Sequence, residues 1–286
     1  MNPDNKPPYR LLACDLDGTL MDDELNISPR VRWALASAQA RDIHVTLATG
    51  RGFPSTLPFA HSLHITAPLI CYQGGLIKHS QTGQELFRAT MERELMLQVI
   101  ETARARHWNL VIYLGDEIYV DSFARSHAFY YEMLGPGIHQ VDDLAETVRT
   151  NGQAPAKFIT VADETTSDRI QAEASARFGK EMTIVRSHKL FVEGNPLDVN
   201  KGNALRWLAE NLNVPQAQVM AVGDQGNDVA MIQWAGLGVA MESGSPTARA
   251  VADWVAPPLS ADGAAAAIER FLLGAQMNAD RRKMNE

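Results

Sequence analysis

The chain has 286 residues, with 26 Lys+Arg against 34 Asp+Glu for a formal net charge of −8, and 45% of its residues are apolar. That composition supports a packed core and excludes disorder, while Gly 20 and Pro 14 without a repeat exclude collagen-like and low-complexity fibres. The acidic balance excludes a general phosphate-backbone surface, so no nucleic-acid partner is expected, although a local basic pocket remains open.

Taken in chain order, residues 1–8 are polar and proline-rich without an apolar signal segment, and a cytoplasmic protein is expected. The uncharged stretch 52–77 carries Pro54, Pro58 and Pro68 and reads as loop, helix and buried strand rather than a membrane span. Residues 9–14 read as a strand. Ser28 and Pro29 are a cap and first residue for a helix to about 41. Strands follow at 43–48 and 67–71, so the order strand, helix, strand, helix, strand predicts parallel pairing. Gln73-Gly74-Gly75 then turns into a hairpin. Cys14 and Cys71 each end an apolar run and read as buried thiols.

From about 85 the texture changes. Helices are expected at 91–106, 122–134 and 164–178, and strands at 109–113, 117–120, 157–161 and 182–185, in an antiparallel α+β module. After 190 the first texture returns, with helices at 201–211, 228–234 and 261–273 and strands at 218–222 and 237–240. The tail 274–286 is expected to fray. The predicted fold is therefore α/β, a parallel sheet with helices on both faces, built from 1–84 and 190–286 and interrupted by an inserted module at 85–189.

Four signals sit where strands end or helices begin. Asp15-Leu16-Asp17-Gly18-Thr19 follows the first strand, at the edge where open α/β sheets bind ligands. Two carboxylates this close need a partner if buried, and a hard cation such as Mg²⁺ suits them. An acidic turn is the ordinary alternative; a calcium loop fails because Gly18 falls at its fourth position. Gly223-Asp224-Gln225-Gly226-Asn227-Asp228 follows another strand and opens a helix, so Asp224 can join the same cation; alone, it is also a plausible capped turn. Thr49-Gly50-Arg51 offers a hydroxyl and free N–H groups to phosphate oxygens, though such turns are common. Lys201 begins a helix against its dipole, which calls for an adjacent anion unless it is simply exposed.

Together these residues resemble the haloacid dehalogenase superfamily of phosphatases, through Asp15 to Thr19, Thr49, Lys201, Gly223-Asp224 and Asn227-Asp228. The insert resembles the type II, subclass B cap of the Cof-type branch. The resemblance implies an Mg²⁺-dependent phosphatase that hydrolyses a small phosphorylated metabolite through an aspartyl-phosphate. It implies Asp15 as nucleophile and Asp17 as general acid–base. Leu16 and Gly50 (through backbone N–H), Thr49, Lys201 and Asn227 would hold the phosphoryl group. Asp15, the Asp17 carbonyl and Asp224 would hold Mg²⁺, with Asp228 supporting them. Arg51 and Gln73 are candidate substrate contacts, and Arg51, His188 and Glu193 are candidates facing the core, although a solvated or structural side chain is the favoured reading for those three. Gln73 departs from the Asn usual in that branch. No membrane partner is implied, and a monomer or weak homodimer is expected. A phosphomutase or phosphotransferase using the same intermediate, and a non-catalytic Mg²⁺-dependent sensor of a phosphorylated ligand, are the alternatives.

Overall fold

The structure, a computed structural model, describes residues 9–135 and 137–274. The expectations for residues 1–8 and, beyond Gly274, for the tail lie outside the described residues.

The chain begins β1 (Leu11–Cys14), α1 (Pro29–Gln39), β2 (His44–Leu47), α2 (Phe53–Ser62), β3 (Leu69–Cys71), β4 (Leu76–Lys78) and β5 (Glu85–Arg88). It continues as α3 (Arg93–Arg106), β6 (Leu110–Leu114), β7 (Glu117–Val120), α4 (His127–Leu134), β8 (Ile138–Gln140), α5 (Leu144–Thr150), β9 (Pro155–Val161), α6 (Glu164–Phe178), β10 (Met182–His188) and β11 (Phe191–Pro196). It closes with α7 (Lys201–Asn211), β12 (Val219–Gly223), α8 (Val229–Trp234), β13 (Leu237–Met241), α9 (Pro246–Val251), β14 (Trp254–Ala256) and α10 (Gly263–Ile268). Local chemistry sets several ends. Ser28 accepts from the Val31 N–H with Pro29 next to it, Asp163 accepts from Thr166, Asn200 accepts from Asn203, and left-handed His107 ends α3.

The first sheet is parallel throughout, in the order β14-β13-β12-β1-β2. Strand alternation divides its two faces. Leu12 and Cys14 pack with Val31 and Leu35 of α1 and Ile268 of α10, while Leu11 and Ala13 pack with Leu205 of α7 and Met231 of α8. Helices therefore cover both faces, as parallel strands require. From β1 the chain winds outward to β2 on one side and from β12 to β14 on the other. The topological switch point lies between β1 and β12, where such sheets open a ligand crevice. β3 touches this sheet through one parallel bridge, Ala48 to Ile70, and forms an antiparallel trio with β4 and β5.

The cap region is a six-stranded sheet, β10-β11-β9-β6-β7-β8, antiparallel except where β7 and β8 run parallel. One face buries Ile112 and Phe158 against Val99 of α3, Val148 of α5 and Phe178 of α6. The other face, including Tyr113, Ile159 and Phe191, packs with Leu134 of α4 in the cluster shared with the core.

Two segments sit differently from the sequence-based division. Residues 85–88 pair with β4 on the core side. β11, expected in the core, pairs with β9 and β10, and Val192 packs in the cap cluster. A strand's partners are set by long-range pairing, which local pattern does not encode. The expected last helix is shorter, α10 continuing into a π-helical turn at Glu269–Leu273. Among the described residues no helix is long and apolar enough to cross a membrane.

Candidate active site

Asp15 follows β1 and Asp224 follows β12, so the two acidic residues flank the switch point. The turn between them is tight. Gly18 has φ +81°, and a Cβ there would lie 2.6 Å from Asp224 Oδ2; only glycine takes that backbone without strain while letting Asp224 approach. Thr19 Oγ1 donates to Asp224 Oδ1 at 2.9 Å, and Gln225 Nε2 donates to Oδ2 at 2.8 Å.

Lys201, the first residue of α7, is fully buried and donates to Asp15 Oδ1 and to Asp228 Oδ1, both at 2.6 Å. Asp228 Oδ2 accepts from the backbone N–H groups of Asp224 and Gln225 at 2.9 Å each. Asp228 is thus occupied in fixing Lys201 and the turn after β12. Burial, and then the Asp228 charge, push the Asp15 carboxyl well above its ordinary range, with Lys201 offsetting part. Burial and Asp228 raise Asp224 to about 6. Burial alone would lower the Lys201 ammonium, but Asp15 and Asp228 outweigh it and raise it.

Asp15, Asp224 and Asp228 present carboxylate oxygens within 4.8 Å of one another. Three buried carboxylates against one buried ammonium leave uncompensated negative charge, and every donor is a hard oxygen. This donor set fits Mg²⁺. Asp15 and Asp224, the two whose charged forms are disfavoured, gain most from a cation.

Asp17 stands apart from that cluster. Its carboxylate is half exposed and takes a bidentate pair from Arg51, at 2.6 and 2.8 Å. Leu16 is buried behind it. Thr49 is buried after β2, and its Oγ1 accepts from the Arg51 N–H at 3.1 Å. Gln73 is left-handed at φ 58°, its N–H bonded to the Thr49 carbonyl. Its side chain lies so close to Gly50 that a Cβ at 50 would be 2.4 Å from Gln73 Nε2. Asn227 Nδ2 donates to Gln73 Oε1 at 3.0 Å.

Asp15, Asp17, Thr49, Arg51, Gln73 and Asn227 line a cleft of about 330 Å³ between core and cap region, roofed by Tyr113, Leu134, His188 and Phe191. That volume suits a small metabolite. Burial, then Lys189, lower the His188 imidazole below its ordinary 6.5. Of the expected residues, Asp15, Asp17, Thr49, Gly50, Arg51, Gln73 and Asn227 line this cleft; Lys201, Asp224 and Asp228 are buried groups clustered with Asp15, and Asp17 is turned to Arg51 rather than into that cluster.

The sequence reading quoted Thr19 and Gln225 within their motifs without giving them the role of holding Asp224, and it missed Lys157 in the cap region. Lys157 had a legible signal: it is the one charge in the otherwise apolar or Thr-containing strand Pro155–Val161, all of it buried, and a buried charge needs a partner.

The sequence model of the haloacid dehalogenase-like hydrolase family matches residues 12–268. The chain belongs to this family. It is 29% identical over 269 residues to the 5-amino-6-(5-phospho-D-ribitylamino)uracil phosphatase YcsE of Bacillus subtilis, covering 92% of this chain and 96% of that one. It is 27% identical over 246 residues to the HMP-PP phosphatase of Serratia proteamaculans, covering 85% and 87%. The crystal structure of a haloacid dehalogenase-like hydrolase from Bacteroides thetaiotaomicron matches with TM-score 0.80 at 29% identity, over 92% of this chain and 99% of that one. The fold is also that of a subclass IIB sugar phosphatase of the superfamily, with TM-score 0.77. As a haloacid dehalogenase-like enzyme with phosphatase relatives along nearly its whole length, the chain is a phosphoric monoester hydrolase.

Proposed function

We propose that the protein hydrolyses a small phosphorylated metabolite in two displacements, with Asp15 as the nucleophile. The observation that carries this reading is the buried Lys201 bridging Asp15 and Asp228 beside Asp224 at the switch point, with Asp15 itself lining the cleft. A carboxylate is a weak nucleophile, so position and charge must supply the catalysis. Asp15 forms a bond to phosphorus as the bond to the leaving oxygen breaks, giving an aspartyl-phosphate. Asp17 protonates that leaving oxygen, then takes a proton from the water that releases phosphate. Arg51 pairs with Asp17; a leaving group that engages Arg51 frees Asp17 for this work.

The backbone N–H groups of Leu16 and Gly50, the Thr49 hydroxyl and Asn227 bind the transferring oxygens. Lys201 offsets the charge they develop. Asp15, Asp224 and the Asp17 carbonyl would hold Mg²⁺, which supplies charge neutralisation between the carboxylate and the phosphoryl oxygens. The cap region, with Gln73 and Arg51 below it, selects the leaving group. We divide the chain accordingly, with a core of 9–88 and 197–274 and a cap of 89–196.

The test is Mg²⁺-dependent release of inorganic phosphate, without an added acceptor, from a panel of sugar phosphates, nucleotides, flavin mononucleotide and pyridoxal phosphate. Release from at least one of them is expected. Folded protein with Mg²⁺ that releases phosphate from none of them overturns the reading.

A further inference from the structure

Lys157 on β9 and Glu193 on the neighbouring β11 form an ion pair at 2.7 Å, with relative exposures of 1% and 3%. Lys157 Nζ also donates to the Gly50 carbonyl at 3.1 Å and lies 5.2 and 5.0 Å from the ring centroids of Tyr72 and Tyr113. Glu193 Oε1 accepts from Gln73 Nε2 at 3.4 Å, and Gln73 in turn receives Asn227. The bonded path therefore runs from two cap strands to Gly50 on one side of the phosphoryl site and to Asn227 on the other.

Stability alone is a weak reason for such a pair, because an apolar pair of like volume is often as stable as a buried ion pair. Position is a stronger one. A Cβ at Gly50 would lie 2.4 Å from Gln73 Nε2 and displace that amide from its bonds to Glu193 and Asn227, while glycine leaves the turn's backbone loose. The Lys157 bond to the Gly50 carbonyl removes that freedom, and Glu193 sets where the Gln73 amide holds Asn227.

We propose that Lys157 and Glu193 are positioning residues for phosphoryl transfer, so that the cap region contributes to kcat and not only to the choice of leaving group. The proposal rests on the phosphatase reading of the site. It is tested with Lys157→Met, Glu193→Gln and the double variant, in the full-length protein with Mg²⁺. Each single variant strands one buried partner and loses stability; the double variant removes both charges at similar volume and keeps its melting midpoint near that of the wild type. The substrate is acetyl phosphate, whose small leaving group makes few cap contacts. Tungstate binding, followed by calorimetry, reads the phosphoryl site without turnover.

The double variant is expected to lose about ten- to a hundredfold in kcat, with KM within about threefold, because small misplacements cost rates of this order. Its tungstate affinity is expected to fall about tenfold with it. A folded double variant with wild-type kcat and wild-type tungstate affinity overturns the proposal. A wild-type protein that binds tungstate but releases no phosphate from any donor removes the phosphatase reading, and the proposal then stands or falls on the tungstate affinities. A wild-type protein that does neither overturns both.

Discussion

Removing divalent cations should make stability depend on pH through the buried carboxylates. Burial and Asp228 raise the Asp224 carboxyl from 3.8 to about 6. The folded state then holds this proton more tightly than the unfolded chain does. The stability it contributes is present below the unfolded value of 3.8 and is lost as pH rises through about 6. At 1.36 kcal/mol per pH unit, and with the unfolded group already partly protonated at pH 4, the metal-free fold is less stable at pH 7 than at pH 4 by about 2 kcal/mol from this group. Asp15 is raised too and acts in the same sense. His188 opposes, since its imidazole is lowered, but it is common to any Asp224 variant. The measurement is urea denaturation in EDTA from pH 4 to 7, for the wild type and for Asp224→Asn. The wild type should gain about 2 kcal/mol over the variant as pH falls across that window. With Mg²⁺, which stabilises the charged carboxylates, the gain should shrink. Parallel profiles in EDTA would refute the buried-carboxylate argument.

Two further outcomes follow from the same geometry. Asp15→Asn should lose phosphate release by about 10⁴-fold or more while keeping its circular dichroism spectrum; wild-type turnover would remove Asp15 as nucleophile. Lys201→Met leaves Asp15 and Asp228 facing each other without their shared cation and should cost the metal-free protein about 3–5 kcal/mol by urea denaturation. A loss below about 1 kcal/mol would mean that Lys201 is not the cluster's counter-charge.

Much of the core was legible because its signals are local. Ser28-Pro29 and Asn200 are capping residues next to helical periodicity, and α1 and α7 begin where those residues direct. Asp15, Thr49 and Asp224 each follow an apolar run, and a parallel sheet brings such strand ends to one edge. The rest depended on pairings that sequence distance hides. β11 reads like a core strand, yet its hydrogen bonds go to β9 and β10. The short β8 and α5 carry too few residues for a periodic signal. Glu193 could be read from sequence only as a candidate facing the core, with a solvated or structural side chain the favoured reading, and its bond to Lys157 spans 36 positions and two strands. Asp17 and Arg51 are 34 positions apart, and nothing in either motif announces their pairing.

The interleaved core also sets a timetable for synthesis. β1 pairs with β12, Leu11 against Val219, so one edge of the first strand has no native neighbour until the ribosome has made about two hundred more residues, roughly 10–40 s at typical elongation rates. In that interval the cap segment, which has its own apolar cluster, can fold and draw its two ends together, shortening the loop that β12 must close. The nascent protein spends most of its birth with an apolar parallel strand uncovered, and Asp15 meets Asp224 and Asp228 only late in translation.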